Sequence, residues 1–244
     1  MDKIYPQKPG LDKFLKEAFV YWRSTMLYQV AFSLLYFSIF FIVMYYASEK
    51  YGILQEYALI VKNNPNDFVK MQSEVQKMVA SENYGSFSWY LIGTLVFLYP
   101  LNIGLFKIFR KKDLGETIYF GDLFAGYIGV NFFKFTSFYL FWFMAFSLLF
   151  PTLILPAIWI LVTIFSAPLM FFMNKSIFES VGLNFKALKL YFLEIFVCLL
   201  VAFIFRYCGI LLFWVGFLFT YPFTLAMIYT LYKHIFIEEE KNVS

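Results

Sequence analysis

The chain has 244 residues, of which 61% are hydrophobic, 24% aromatic and only 15% charged, and its mean hydropathy is +0.69. Soluble domains have about 45–50% apolar and about 25% charged residues, so this composition predicts a protein embedded in a lipid bilayer. It excludes a disordered chain and a disulfide-rich scaffold. The net charge of +4 comes from scattered basic residues, which argues against a nucleic-acid partner.

Cysteine and histidine are too scarce for the common metal and cofactor sites. Cys198 and Cys208 both lie in apolar stretches, and His234 is the sole histidine. Zinc and iron sites usually draw on several His, Cys or carboxylate ligands. Gly-rich phosphate loops, Ser/His/Asp sets and paired catalytic carboxylates are also absent from the sequence. The sequence therefore predicts no catalytic residues, no metal and no cofactor.

Six segments are apolar enough, at about 20 residues each, to cross a bilayer. The long uncharged run from Phe135 to Met173 contains Pro151 and Pro156, which predicts a hairpin of two helices because proline breaks helical hydrogen bonding. The predicted spans are 26–46, 87–109, 132–150, 153–173, 187–205 and 210–232. The fold class is an all-α, polytopic membrane helix bundle.

Basic residues set the predicted orientation. With a cytoplasmic N-terminus, 15 of the 20 lysines and arginines fall on the cytoplasmic side, as the positive-inside rule requires. We therefore expect a multi-pass protein of the bacterial inner membrane with both termini cytoplasmic, including the tail 233–244. The loop 47–86 is expected outside as two short helices, with Asn64 and Pro65 at the start of the second, and it serves either as a lid or partner-binding cap over the bundle or as a solvated connector.

The spans resemble three repeated units. Pro100, Pro168 and Pro222 each lie within an even-numbered span, and a basic residue follows each of them. An amphipathic or interfacial stretch precedes each odd-numbered span. These three stretches are residues 1–25, 119–129 and 176–190. The pattern predicts three pseudo-repeated hairpins whose proline kinks either open a cavity for a ligand or only shape the packing.

Ionisable residues within apolar spans are functional candidates by default. Glu194, in the fifth span, is the main one; Arg206 ends the same span, and Lys134 borders the third. We expect Glu194 to serve either as a proton or cation site in a transport path or as a structural carboxylate that reaches water at the inner interface or pairs with Lys134 or Lys189.

Two further sets of residues lie on the predicted cytoplasmic side. Gly121, Ala125 and Gly129 form a small-residue face suited to close helix packing. The basic trio Arg110, Lys111 and Lys112 is suited either to contact an anionic lipid head group or to end a span as solvated charges.

One region resembles known proteins. The segments Tyr99-Pro100-Leu-Asn-Ile-Gly104, Arg110-Lys111 and Phe120-Gly-Asp-Leu-Phe124-Ala-Gly126-Tyr127 resemble a broad group of bacterial multi-pass proteins. This group includes the YciC-like family and the membrane domains attached to some glycerophosphodiester phosphodiesterases. The resemblance covers about residues 87–233 and implies a six-helix inner-membrane protein, without implying a reaction.

The prediction from sequence is thus an integral membrane protein, non-enzymatic, acting in envelope or lipid homeostasis, with the lipid bilayer as its partner. Protein partners are not specified by any motif. One alternative is a small transporter or channel that uses Glu194 and the kinked helices. The other is a membrane enzyme that acts on lipid through Asp113, Glu116 or Asp122.

Overall fold

A computed structural model describes residues 10–212 and 215–238, and within these ranges the chain forms helices and no strands. The predicted stretch 1–25 and tail 233–244 each lie partly outside the described residues. The α-helices are α1 (Leu11–Ser24), α2 (Met26–Lys50), α3 (Ile53–Asn63), α4 (Phe68–Val79), α5 (Glu82–Leu98), α6 (Leu101–Asp113), α7 (Val130–Leu149), α8 (Leu155–Thr163), α9 (Ser166–Phe172), α10 (Ile177–Cys208), α11 (Val215–Thr220) and α12 (Phe223–Tyr232). Short 3-10 segments cover Phe120–Tyr127, Phe150–Thr152 and Gly209–Leu212, and a π-helical turn covers Lys233–Glu238.

The predicted all-helical class and the predicted number of membrane helices are confirmed. Six helical stretches in the described ranges are long and apolar enough to cross a bilayer, so the chain is an integral, multi-pass membrane protein. They are Met26–Lys50, Glu82–Asp113, Val130–Thr152, Leu155–Phe172, Ile177–Leu211 and Val215–Ile237.

The span boundaries differ most at the fifth span, Ile177–Leu211 against the expected 187–205, and the sixth span is shifted by five residues. The structure places the sixth span at Val215–Ile237, whereas 210–232 is the segment expected from sequence. Lys233 and His234 therefore belong to the end of the last helix, although the sequence assigns them to a tail. A charged residue marks a span boundary only if its charge faces water, and the charge of Lys233 is paired within the protein.

The chain divides into two compact units, residues 35–98 and residues 1–34 with 99–244. In the first of these, α3 and α4 pack against each other and against α5. The two short helices expected in loop 47–86 are thus present, but the second begins at Phe68. Asp67 caps it by accepting a hydrogen bond from the Lys70 N–H at 2.9 Å. Asn64 instead donates to the Ile60 carbonyl at the end of α3.

In the larger unit, helices break beside the three prolines. Pro100 separates α5 from α6, and Pro222 separates α11 from α12. Pro168 lies in the first turn of α9, where its missing N–H leaves no helical bond unmade. The break before α9 is completed by the fully buried Asn184, whose side-chain oxygen accepts from the Phe165 N–H at 2.8 Å.

The long helix α10 has a kink at Tyr191, where φ is −126° and ψ is 30°. The kink separates the stretch predicted as 176–190 from the span that follows it. At its beginning, the Ser176 side chain accepts from the Glu179 N–H at 3.3 Å, and the Glu179 carboxylate accepts from the Ser176 N–H at 2.7 Å. This capping box fixes where α10 begins.

The 3-10 segment Phe120–Tyr127 packs against α6 at glycine contacts. A Cβ on Gly104 would lie 2.0 Å from the Leu123 carbonyl oxygen, and one on Gly126 would lie 2.1 Å from the Pro100 oxygen. In the predicted packing face, Ala125 is buried, whereas a Cβ on Gly121 or Gly129 would meet no atom within 4 Å. Backbone approach at Gly104 and Gly126 therefore determines how closely this segment sits on α6.

We expect Gly126→Ala to destabilise the protein by about 1–3 kcal/mol, since the added methyl group must displace backbone atoms. Gly121→Ala, in the same segment but with open space around it, is the matched control and should change the stability by less than about 0.5 kcal/mol. Thermal unfolding of the detergent-solubilised variants measures both. Equal melting temperatures for the two variants would contradict this packing.

Candidate functional site

Helix α1 brings acidic and phenolic groups to the ends of two other helices. Phe14, Ala18 and Tyr21 lie on its buried face, which packs against α12. Glu17 lies beside them. These residues meet charged side chains from the ends of α6 and α12 in what we call the Lys233 cluster. Its members are Glu17, Tyr21, Asp113, Tyr229, Lys233 and His234.

The Lys233 ammonium bridges two carboxylates. Its Nζ lies 2.6 Å from Glu17 Oε1 and 3.2 Å from Asp113 Oδ1, and it donates to the Tyr21 hydroxyl at 2.9 Å. An ammonium has three donors, so all three N–H groups have partners. One cation thus joins α1, the end of α6 and the turn after α12.

The other members of the cluster form hydrogen bonds to the same two carboxylates. The Tyr229 hydroxyl donates to Asp113 Oδ2 at 2.6 Å, and the Tyr21 hydroxyl donates to Asp113 Oδ1. His234 Nε2 lies 2.6 Å from Glu17 Oε2, and only 1% of the His234 side chain is exposed. The cluster is therefore hydrogen-bonded at all four carboxylate oxygens.

The environment holds Glu17 as a carboxylate. Burial alone would raise its pKa, but the hydrogen bonds and charges of His234 and Lys233 lower the pKa to about 2. Burial and the hydrogen bond to Asp113 raise the pKa of the Tyr21 hydroxyl far above its usual value. The phenol therefore stays protonated and acts as a donor.

A second set of ion pairs fixes the segment Phe120–Tyr127. Asp122, whose side chain is 7% exposed, lies 2.8 Å from Lys107 Nζ and 2.9 Å from Lys111 Nζ. It also accepts from the Tyr119 N–H at 2.9 Å. Burial would raise the pKa of Asp122, but these donors lower it to about 2. Asp122 thus holds the segment on α6 through two lysines of that helix.

These arrangements join helices and offer little to an acid-base reaction. A carboxylate with a pKa of about 2 is a weak proton acceptor near neutral pH, and Glu17 and Asp122 are both of this kind. In the described portion of the chain, no group of three or more His, Cys, Asp or Glu is placed to hold a metal ion.

The expected ion pair between Glu194 and Lys134 is wrong. Lys134 Nζ donates to the Met170 carbonyl at 2.6 Å and to Asn174 Oδ1 at 3.0 Å. It therefore satisfies the C-terminal end of α9, where carbonyl groups lack helical donors. Glu194 is half-buried beyond the kink of α10, and within the described ranges its carboxylate forms no hydrogen bond or ion pair.

Arg206 lies near the end of α10 against an aromatic ring. Its guanidinium carbon is 4.0 Å from the centre of the Tyr221 ring, a cation–π distance. Its Nε is buried without a hydrogen-bond partner among the described residues. Arg206 thus packs beside the break at Pro222.

The three residues of the basic trio, Arg110, Lys111 and Lys112, have different surroundings. Lys111 is bound by Asp122 and also donates to the Thr117 carbonyl at 3.1 Å. Arg110 acts electrostatically on the Tyr229 hydroxyl. Lys112 is exposed, with no partner in the part of the chain that the structure covers. Of the three cations, Lys112 is thus the most open to a ligand.

Most of the Lys233 cluster is not predicted by the sequence. Glu17 reads as part of the polar face of an amphipathic helix, and Lys233 reads as the end of a span. The apolar Ile235, Phe236 and Ile237 that follow are the signal that the helix continues beyond Lys233.

Comparison of the chain with protein-family models, curated proteins and solved structures finds no match. The resemblance to the YciC-like group is therefore still a prediction.

Replacing Lys233 with methionine should destabilise the protein, because two partly buried carboxylates would lose their shared cation. We expect a loss of about 2–3 kcal/mol, somewhat below the 3–5 kcal/mol typical of fully buried pairs. Lys16→Met is the control, since Lys16 pairs with Asp12 at 3.3 Å on the exposed face of α1 and should contribute less than about 0.5 kcal/mol. Chemical unfolding in detergent measures both, and similar losses would contradict a structural role for the cluster.

Acid should weaken the fold through Glu17 and Asp122. Both have a pKa of about 2 in the folded protein, against about 4.3 and 3.9 in an unfolded chain. A lowered pKa stabilises the fold above the unfolded value, and this stabilisation disappears as the pH falls from about 5 towards 2. The melting temperature should decline over that window. Glu17→Gln combined with Asp122→Asn should melt lower at neutral pH and show a smaller decline.

Proposed function

We propose that this protein is a non-enzymatic component of a bacterial inner membrane that acts in envelope or lipid homeostasis. The observation that carries the proposal is the commitment of Glu17, Asp113 and Asp122 to ion pairs that hold α1 and the segment Phe120–Tyr127 on the ends of spans. These carboxylates stabilise the structure at head-group level and are not presented to a substrate.

Cations without a protein partner support a lipid surface as the partner. Arg23, Lys112 and Lys186 are exposed, and none forms an ion pair with another described residue. Each basic residue near an anionic bilayer surface contributes about 1 kcal/mol of attraction. Glu116, also exposed, opposes them in part, which leaves an excess of positive charge on the predicted cytoplasmic side.

The proposed orientation has both termini in the cytoplasm. It rests on the distribution of basic residues, 15 of 20 on that side, and on the resemblance to inner-membrane proteins. The threefold internal repeat belongs to the same proposal, and helix breaks near Pro100, Pro168 and Pro222 support it.

A small transporter is the second candidate, and Glu194 favours it. A half-buried carboxylate in a span, with no partner in the described ranges, is the kind of group that carries protons or cations. A lipid-modifying enzyme has less support, because Asp113 and Asp122 are held in ion pairs.

The proposal is tested by complementation of a strain that lacks the gene, with phospholipid composition and envelope permeability as readouts. We expect the triple variant Arg23→Gln, Lys112→Gln and Lys186→Gln to fail to restore the wild-type profile. The matched control removes the same charge from the exposed lysines of the predicted outer loop, as Lys62→Gln, Lys70→Gln and Lys77→Gln, and should complement fully.

Glu194→Gln separates the two candidates in the same assay. Under the lipid-surface proposal it complements like the wild type. Loss of complementation by folded Glu194→Gln protein would favour the transporter instead. Full complementation by the triple variant on the predicted cytoplasmic side would overturn the lipid-surface proposal.

A further inference from the structure

An apolar groove runs along α2 and α5 within the unit of residues 35–98. Its volume is about 450 Å³, and both helices belong to membrane spans. Its lining residues are Ile39, Val43, Trp89, Tyr90, Gly93, Thr94 and Phe97. Trp89 and Phe97 are exposed, so the groove opens sideways towards the lipid.

The length of the groove corresponds to one leaflet. From Trp89 to Phe97, α5 rises about 12 Å, and from Ile39 to Lys50, α2 rises about 16 Å. Half of a hydrocarbon core is about 15 Å thick. The groove therefore extends from the interface towards the middle of the bilayer, the dimension of a single acyl chain.

A cation lies at one end of the groove. The Lys50 ammonium donates to the hydroxyl of the lining residue Tyr90 at 3.0 Å. It also lies 5.3 Å from the centre of the Tyr90 ring and 5.4 Å from that of Tyr51. Trp, Tyr and Lys at this position mark the head-group level of a span.

The Lys50 charge has no counter-ion in the described part of the protein. The carboxylate of the neighbouring Glu49 accepts from Gln55 Nε2 at 2.9 Å instead, and none of the described carboxylates pairs with Lys50. Two of its three N–H donors are thus open to an anion. A phosphate with an attached acyl chain matches both the cation and the groove.

We propose that the groove and Lys50 form a binding site for an anionic phospholipid of the leaflet on the Lys50 side. One acyl chain lies against Val43, Gly93 and Phe97, and the phosphate contacts the Lys50 ammonium. This site goes beyond the proposed function, because it names a ligand and uses none of the residues that carry that proposal.

Gly93 makes the acyl site testable. A Cβ on Gly93 would meet no atom within 4 Å, so the side chain of Gly93→Leu begins in open space and extends into the groove that Gly93 lines. Gly85 lies on the same helix with equally open space and does not line the groove, so Gly85→Leu is the matched control. Lys50→Gln removes the charge and retains a donor for Tyr90.

The experiment is native mass spectrometry of the full chain in detergent, titrated with phosphatidylglycerol and, separately, with phosphatidylcholine of the same acyl chains. We expect the wild type and Gly85→Leu to retain phosphatidylglycerol in preference to phosphatidylcholine. Gly93→Leu should retain about tenfold less phosphatidylglycerol, the equivalent of two methylene groups no longer buried. Lys50→Gln should reduce the preference for phosphatidylglycerol by about fivefold.

Equal retention of the two lipids by the wild type would mean that only non-specific annular lipid binds, and would overturn the proposal. Unchanged binding by Gly93→Leu would overturn it as well. Melting temperatures of all variants confirm that a loss of lipid comes from the site and not from unfolding. Failure here leaves the complementation test unaffected, since that test alters other residues.

Discussion

One ammonium group, shared between two carboxylates, joins three separate parts of the larger unit. Lys233 contacts Glu17 and Asp113, which are far apart in sequence and belong to α1 and α6. Bringing these charges together out of water costs several kcal/mol per ion, and only complete pairing with additional hydrogen bonds offsets this cost. Tyr21, Tyr229 and His234 supply those bonds. Once paired, the charges permit few other arrangements of α1 against the bundle.

Polar groups at the helix breaks must also find hydrogen-bond partners within the protein. A backbone group freed by proline or by a bend cannot find water within a bilayer, so a side chain must replace the lost partner. The buried Asn184 does so before α9. Gln29 does so between α1 and α2, where its amide donates to the Trp22 carbonyl at 3.0 Å. Thr220 donates to the Arg206 carbonyl at 2.8 Å, beside the close contact between Gly209 and Gly216.

The number of spans and two of the helix breaks depend on local composition and could be predicted from the sequence. The ion-pair and hydrogen-bond partners of individual side chains depend on how distant segments meet and could not. Apolar length gives the number of spans, and Pro100 and Pro222 lie where helices break. Charged residues predict where spans end, but Lys233 is an exception because its ammonium is paired within the protein and does not face water. Opposite charge favours a pair between Lys134 and Glu194, yet the Lys134 ammonium contacts a backbone carbonyl and an amide oxygen. The sequence does not show which backbone and side-chain oxygens lack a hydrogen-bond donor once the chain has folded.

The scarcity of charge also explains why lipid is the common element of both proposals. The whole chain has 16 acidic and 20 basic residues, and three of its carboxylates, Glu17, Asp113 and Asp122, are held in ion pairs that join separate helical segments. Cations outside these ion pairs, such as Lys112 and Lys50, are exposed at the ends of helices. A soluble anionic ligand would require several such cations converging on one enclosed site. A bilayer supplies many phosphates at a fixed depth, so single cations at that depth suffice, and apolar surface beside them adds the acyl contact that a soluble anion lacks.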